Sequence, residues 1–223
     1  MPASASPLCR ASLVSGVQVL TRGDPTLARL VARYGVPPLW ARRPGFATLL
    51  RIILEQQVSL ASAQAIYRRL AAAVEHVQPA DILTLGVAGL QRTGLTSQKA
   101  SYVCGLAERV LDGKLELRRL GRYGDGEARE HLIQFRGVGP WTAGIYLLMA
   151  LRRPDIWPPG DLALHKALGR LNGSAQMPSS IEAEELAIRW RPLRAVAARI
   201  LWHSYLAERR LNRTLTAGGF PAI

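Results

Sequence analysis

The chain has 223 residues, with hydrophobic residues at 48 % and charged residues at 20 %, a globular composition with enough apolar material for a sizeable core. Lys+Arg total 29 against 16 Asp+Glu, a formal net charge of +13, and only Lys99, Lys114 and Lys166 are lysines. Such an excess excludes an acidic solvating protein and favours polyanion partners, nucleic acid before an anionic membrane surface.

Two cysteines, Cys9 and Cys104, are too few for a disulfide-rich scaffold or a four-thiolate metal site. The four histidines stand in no spacing that suits zinc. No apolar run approaches the ~20 residues of a spanning helix. The N-terminal apolar stretch from Ala11 to Leu20 lacks a clear cleavage site. A cytoplasmic protein without a membrane segment is expected.

Along the chain the punctuation is helical. Residues before Asp24 are the least readable and leave room for a short strand. Asp24-Pro25 opens a helix carrying Leu27, Leu30, Val31 and Tyr34, closed by Gly35. Pro37, Pro38, Pro44 and Gly45 form a linker. Phe46, Leu49, Leu50, Ile53 and Gln57 then follow one helical face. Another helix spans about Ser59 to Val74, and Pro79 starts the next. Gly94-Leu95-Thr96-Ser97 reads as a stop followed by an N-cap, leading into Lys99 to Leu111. A polar loop from Arg118 to Gly126 precedes a helix over Glu127 to Phe135. After Gly137-Val138-Gly139-Pro140, Trp141 to Leu151 resumes helix. Later helices are expected near Leu162 to Leu171, Ile181 to Trp190 and Leu193 to Leu211. With no sustained period-2 pattern, the fold is expected to be all-α.

The segment Leu132 to Ala143 carries most information. Its two glycines permit close backbone approach, and Pro140 stands where a first helical residue belongs. Amides near Gly139 to Thr142 would then point outward at a helix N-terminus, a seat for a phosphate. A tight αα-hairpin that only packs has the same local pattern.

This segment resembles the helix–hairpin–helix of the HhH-GPD base-excision DNA glycosylase superfamily. Three further segments carry the resemblance in order: Glu55-Gln56-Gln57-Val58-Ser59, Gly94 to Ala100, and Trp157-Pro158-Pro159-Gly160-Asp161-Leu162. Arg189-Trp190-Arg191-Pro192-Leu193-Arg194 also matches the family pattern. The subgroup resembled is DNA-3-methyladenine glycosylase II, with the β-rich N-terminal domain of some members expected to be absent or vestigial. The resemblance implies two helical subdomains flanking a cleft. One would span residues 44–154 and end in the hairpin. The other would combine 1–43 with 155–223.

Asp161 ends a Pro-Pro-Gly loop and starts an apolar helical stretch, so it reads locally as an N-cap. The resemblance makes it the catalytic residue, a carboxylate facing a deoxyribose that turns oxocarbenium-like. The two roles are compatible, and whether it acts as base or electrostatic stabiliser stays open. The family's backbone-cutting members place a lysine directly before the Thr-Ala of the hairpin. Trp141 stands there, which implies a monofunctional enzyme leaving an abasic site. The resemblance further implies a base pocket at Trp141, Ile145 and Trp202, and a DNA wedge at Gln57. It places a phosphate-binding hairpin at Gly137, Val138, Gly139 and Thr142. Packing in the core is the alternative role for each tryptophan.

The implied activity is hydrolytic release of alkylated purines, 3-methyladenine first, from double-stranded DNA by base flipping. No required cofactor is expected, although Na+ or K+ could bind the carbonyls of Ile133, Phe135 and Val138. A monomer is expected. The alternatives are deaminated or oxidised bases on the same scaffold, or a non-enzymatic lesion or DNA binder. The paired arginines are read as mostly solvated surface, collectively favouring salt-sensitive DNA binding.

Overall fold

A computed structural model describes residues 6–171 and 176–217. Its helices, in chain order, are α1 (Arg10–Gly23), α2 (Pro25–Tyr34), α3 (Phe46–Glu55), α4 (Leu60–Ala73), α5 (Pro79–Arg92) and α6 (Ser97–Leu111). They continue with α7 (Asp125–Ile133), α8 (Pro140–Met149), α9 (Leu162–Leu171), α10 (Ser180–Ala187) and α11 (Arg194–Ala217). Short 3-10 turns occupy Arg119–Arg122 and Ile188–Trp190. No strand occurs among the described residues.

The N-terminal segment, the least readable part of the sequence, with room for a short strand, is helical where described. It is the helix α1, capped by Cys9, whose thiol accepts from the Ser12 amide while the Ser12 hydroxyl accepts from the Cys9 amide. This reciprocal arrangement satisfies two end groups at once.

The described chain divides into one compact unit of residues 41–152 and another of residues 6–40 with 153–217. In the first, α3 is central and packs on α4, α6 and α8. Leu49, Leu50, Ile52, Ile53 and Leu54 are all fully buried, a wide apolar face, while Thr48, Arg51 and Glu55 form a narrower polar side. Each buried apolar side chain contributes about 1.5–3 kcal/mol of transfer free energy. Helix α8 is more fully enclosed, with every residue from Thr142 to Leu148 buried. The Tyr146 hydroxyl accepts the Gly45 amide at 2.9 Å, satisfying a donor at the α3 N-terminus, and burial pushes this phenol up to about 12. Helix α5 bends at Gly86, whose φ of 64° and ψ of 176° interrupt the helical path.

In the second unit the N-terminal half of α11 is central and packs against α1, α2 and α9. Ala195, Val196, Ala197, Ala198, Ile200 and Leu201 are buried there. Gly16 lets α1 approach closely: a Cβ on it would lie 3.1 Å from Val196 Cγ2. The Arg-Trp-x-Pro-x-Arg segment builds this unit. Trp190 Nε1 donates to Asp24 Oδ2 at 2.8 Å, and Arg194 grips Asp155 through Nε to Oδ1 at 2.8 Å and Nη2 to Oδ2 at 3.0 Å. The Arg191–Pro192 peptide is cis.

Some of the paired arginines, read as mostly solvated surface, also hold the fold together. Arg42 makes a bidentate pair with Glu55, Nη1 to Oε2 at 3.0 Å and Nη2 to Oε1 at 2.8 Å. Arg69 Nε donates to the Thr93 carbonyl at 2.7 Å. Arg153 is only 2 % exposed.

Candidate functional site

The first unit carries the hairpin. Helix α7 ends at Ile133, the Val138 amide donates to the Phe135 carbonyl at 3.0 Å, and Pro140 is the first residue of α8. The two glycines do different things. Gly137 has φ 88°, and a Cβ on it would lie 2.7 Å from the Tyr102 ring. Conformation and packing both demand glycine there. Gly139 has φ −84° and ψ 176°, extended backbone open to any residue, and a Cβ would meet nothing within 4 Å. Nothing in the described chain requires glycine at 139. The open space lies at the start of α8, where no side chain caps the helix, so a phosphate can approach the amides.

The other two hairpin residues are committed inward. Val138 is buried and its amide closes the turn. Thr142 is buried and its hydroxyl oxygen accepts from Gln56 Nε2 at 2.8 Å. Their side chains therefore build the hairpin from inside, and any contact they make with a phosphate is through the backbone. Trp141 alone among residues 141–148 is not buried, whereas Ile145 one turn later is 3 % exposed.

The turn between α3 and α4 corrects the sequence reading of Gln57. Helix α3 stops at Glu55, so Gln57 no longer shares the buried stripe. It is exposed, with φ 56° in the left-handed region, unusual for a residue with a side chain. Neighbouring Val58 and Leu60 are 41 % and 61 % exposed. Two residues named in the motifs but given no role matter here. Gln56 Nε2 donates to the Gly137 carbonyl at 2.8 Å, and Lys99 Nζ donates to the carbonyls of Leu54 and Gln56 at 3.0 and 2.7 Å. Burial lowers the Lys99 pKa from its ordinary value.

The second unit carries Asp161, 8 % exposed, at the N-terminus of α9. Its Oδ1 accepts the amides of Ala163 and Leu164, each at 3.0 Å, which is the N-cap geometry. The same oxygen accepts Trp202 Nε1 at 3.0 Å. Trp202, expected as a pocket aromatic, thus turns a polar edge to this carboxylate. Trp40, which the sequence did not single out, packs edge-on against Trp202 at 6.4 Å and His203 at 6.2 Å. Its φ of 47° is left-handed, a property that no sequence pattern reveals. His165 Nε2 and His203 Nδ1 are buried without a hydrogen-bond partner among the described residues.

A glycine-turn hairpin and an aspartate-capped helix, carried on an all-helical framework, are the marks of a helix–hairpin–helix DNA glycosylase fold. The sequence model of the HhH-GPD superfamily of base excision DNA repair proteins matches residues 50–192. The chain belongs to this superfamily. A DNA-3-methyladenine glycosylase of Bacillus subtilis is 31 % identical over 108 residues, 48 % of this chain and 36 % of that protein. A second Bacillus subtilis relative is 25 % identical over 80 % of this chain and 65 % of its own length. The chain thus spans less than two thirds of either relative. DNA-3-methyladenine glycosylase 1 of Schizosaccharomyces pombe is 24 % identical, with 79 % of both chains covered.

Among solved structures, the Schizosaccharomyces pombe 3-methyladenine DNA glycosylase in complex with abasic DNA superposes with a TM-score of 0.80 at 24 % identity. That match covers 84 % of this chain and 95 % of the other, and it establishes the fold. DNA-3-methyladenine glycosidase of Bacillus halodurans gives 0.72 at 26 % identity, covering 86 % and 91 %.

Proposed function

We propose that this chain is a monofunctional DNA glycosylase that hydrolyses the N-glycosidic bond of alkylated purines, 3-methyladenine among them, leaving an abasic site. The observation that carries the reading is the buried Asp161 carboxylate, held on one oxygen by two helix amides and an indole N–H. Relatives named as DNA-3-methyladenine glycosylases support the substrate class.

The hairpin backbone at Gly139 grips a phosphate of double-stranded DNA, and Gln57 fills the gap left by an extruded nucleotide. Trp141, the part-exposed aromatic at the start of α8, offers an indole face to the flipped base. An electron-rich indole favours a cationic purine by about 0.5–2 kcal/mol. As the C1′–N bond breaks, its electron pair leaves with the base and positive charge grows on the sugar. A carboxylate about 4 Å from a full positive charge contributes about 4 kcal/mol at an effective dielectric constant of about 20, or nearly a thousandfold in rate. Water then adds at C1′ and gives up a proton. Trp141 stands where a backbone-cutting relative would need an amine, which supports a purely hydrolytic reaction.

Water is the only co-reactant this scheme needs. A monovalent cation, Na+ or K+, is proposed on the carbonyls of Ile133, Phe135 and Val138. Ile133 ends α7, where carbonyls lack intrahelical donors, and the Phe135 oxygen keeps a second lone pair beyond the Val138 amide. Such an ion would add positive charge beside a DNA phosphate. The protein is proposed to act as a monomer with the nucleoid in the cytoplasm. No described helix is long and apolar enough to cross a membrane.

The direct test is incubation of the protein with methylated double-stranded DNA and chromatography of the freed bases. Release of 3-methyladenine is the expected result. Release of only deaminated or oxidised bases from matched substrates would overturn the specificity, and release of none would overturn the activity.

A further inference from the structure

The turn that carries Gln57 is fastened on two sides by groups the proposed chemistry does not use. All of them lie in the first unit. Helix α3 ends at Glu55, and a helix end leaves its last carbonyls without intrahelical donors. A glycine in the left-handed region is the common closure for such an end. Here Gln57 itself adopts φ 56°, a conformation that a side chain disfavours.

What holds it is tertiary. Lys99, from α6, donates its ammonium to the Leu54 carbonyl at 3.0 Å and the Gln56 carbonyl at 2.7 Å. The charge also sits at the negative end of the α3 dipole. On the other side, Gln56 Nε2 donates at 2.8 Å to the Gly137 carbonyl and at 2.8 Å to the Thr142 hydroxyl oxygen. One side-chain amide therefore joins the Gln57 turn to the hairpin glycine and to the first turn of α8. The outer part of the turn is different in character, with Gln57 exposed and Leu60 61 % exposed.

We propose that Lys99 and Gln56 are positioning residues for nucleotide extrusion, locking the Gln57 wedge at a fixed place relative to the phosphate-gripping end of α8. This rests on the reading of Gln57 as wedge and the hairpin as phosphate site. An extruded nucleotide leaves a gap at a set distance from the phosphate that is held, so a wedge free to drift fills it poorly. Without its two anchors the Gln57 backbone relaxes toward ordinary φ and the turn loses its height. Lys99 and Gln56 touch neither base nor sugar in this scheme and act through Gln57.

The experiment is a double-mutant cycle read by two signals. One is the single-turnover rate of base release from methylated duplex DNA. The other is the fluorescence of 2-aminopurine placed beside an abasic-site analogue, which reports insertion into the gap. Lys99→Met and Gln56→Leu are each measured alone and with Gln57→Ala, with thermal melting of every variant. Gln56→Glu, which keeps the size but removes the donor, serves where the leucine variant does not fold, and Lys99→Arg is the rescue.

Each anchor variant is expected to slow release and weaken the insertion signal by roughly tenfold or more. Neither should add to the loss already caused by Gln57→Ala, and Lys99→Arg should restore most of it. Additive losses in the double variants, or an unchanged insertion signal in Lys99→Met, would overturn the inference while leaving the wedge intact. An unchanged rate and signal in Gln57→Ala alone would instead remove the wedge reading itself.

Discussion

Trp202 donates its indole N–H to Asp161 Oδ1 at 3.0 Å, on the oxygen that also caps α9. An aromatic expected to offer a face to a base thus also fixes the carboxylate. Trp202→Phe keeps an apolar ring and deletes the donor. A hydrogen bond to a charged group contributes about 1.5–3 kcal/mol, so single-turnover base release is expected to fall roughly tenfold to a hundredfold. Affinity for methylated DNA should change far less. A variant with full rate but weakened binding would show that only the aromatic face matters.

Asp161→Asn separates the two roles of that residue. Asparagine caps helices as well as aspartate does, so the melting temperature should stay close to that of the parent. It carries no charge to oppose an oxocarbenium ion, so base release should be abolished while lesion binding persists. Turnover at the parental rate would falsify the mechanism.

Much of this arrangement is legible in the sequence, and the parts that are not share a cause. The spacing of Leu49, Leu50 and Ile53 gives α3, and Pro140 marks the start of α8, because these signals are local. Asp161 reads as a cap for the same reason. The end of α3 does not. Gln57 continues the helical spacing, but the helix ends two residues earlier, where Lys99 from another element takes the carbonyls of Leu54 and Gln56. Helix α1 is obscured by Ser12, Ser15 and Gln18 within its apolar stretch, and by a cysteine serving as cap. Arg42 looks like surface charge until the fold brings Glu55 to it.

The two hairpin glycines predict opposite phenotypes. Gly137→Ala forces a side chain into φ 88° and onto the Tyr102 ring. It should destabilise the protein by about 1–3 kcal/mol, seen as a lower urea midpoint. Gly139→Ala has permissive backbone and open space, so stability should be unchanged. Its methyl group instead stands where a phosphate would approach. Affinity should drop alike for damaged and undamaged duplexes, measured by fluorescence anisotropy at fixed salt. A loss confined to one lesion would contradict the phosphate site.

Trp141 bears on the second half of a bifunctional reaction. An indole forms no Schiff base with an opened sugar. Borohydride reduction during turnover should therefore give no covalent protein–DNA complex, and the abasic product should stay uncut until treated with alkali. A trapped band on a denaturing gel would reveal an amine nucleophile elsewhere in the chain.

Asp24 predicts how stability responds to acid. Burial raises its pKa, but the Trp190 indole, the amides of Leu27 and Thr26, and the Arg189 charge outweigh it and hold the carboxyl below its ordinary value. A group with a lowered folded pKa contributes stability above its unfolded value, near 3.9, and loses it as pH falls through the folded one. Asp24→Asn keeps the α2 cap and discards the charge. At pH 7 it should unfold at lower urea, by roughly 1–2 kcal/mol. As pH falls from the unfolded value through the lowered folded one, the difference from the parent should narrow, because the parental carboxyl is progressively neutralised. A gap of constant size from pH 7 down through this acid range would show that the carboxylate charge contributes nothing to the fold.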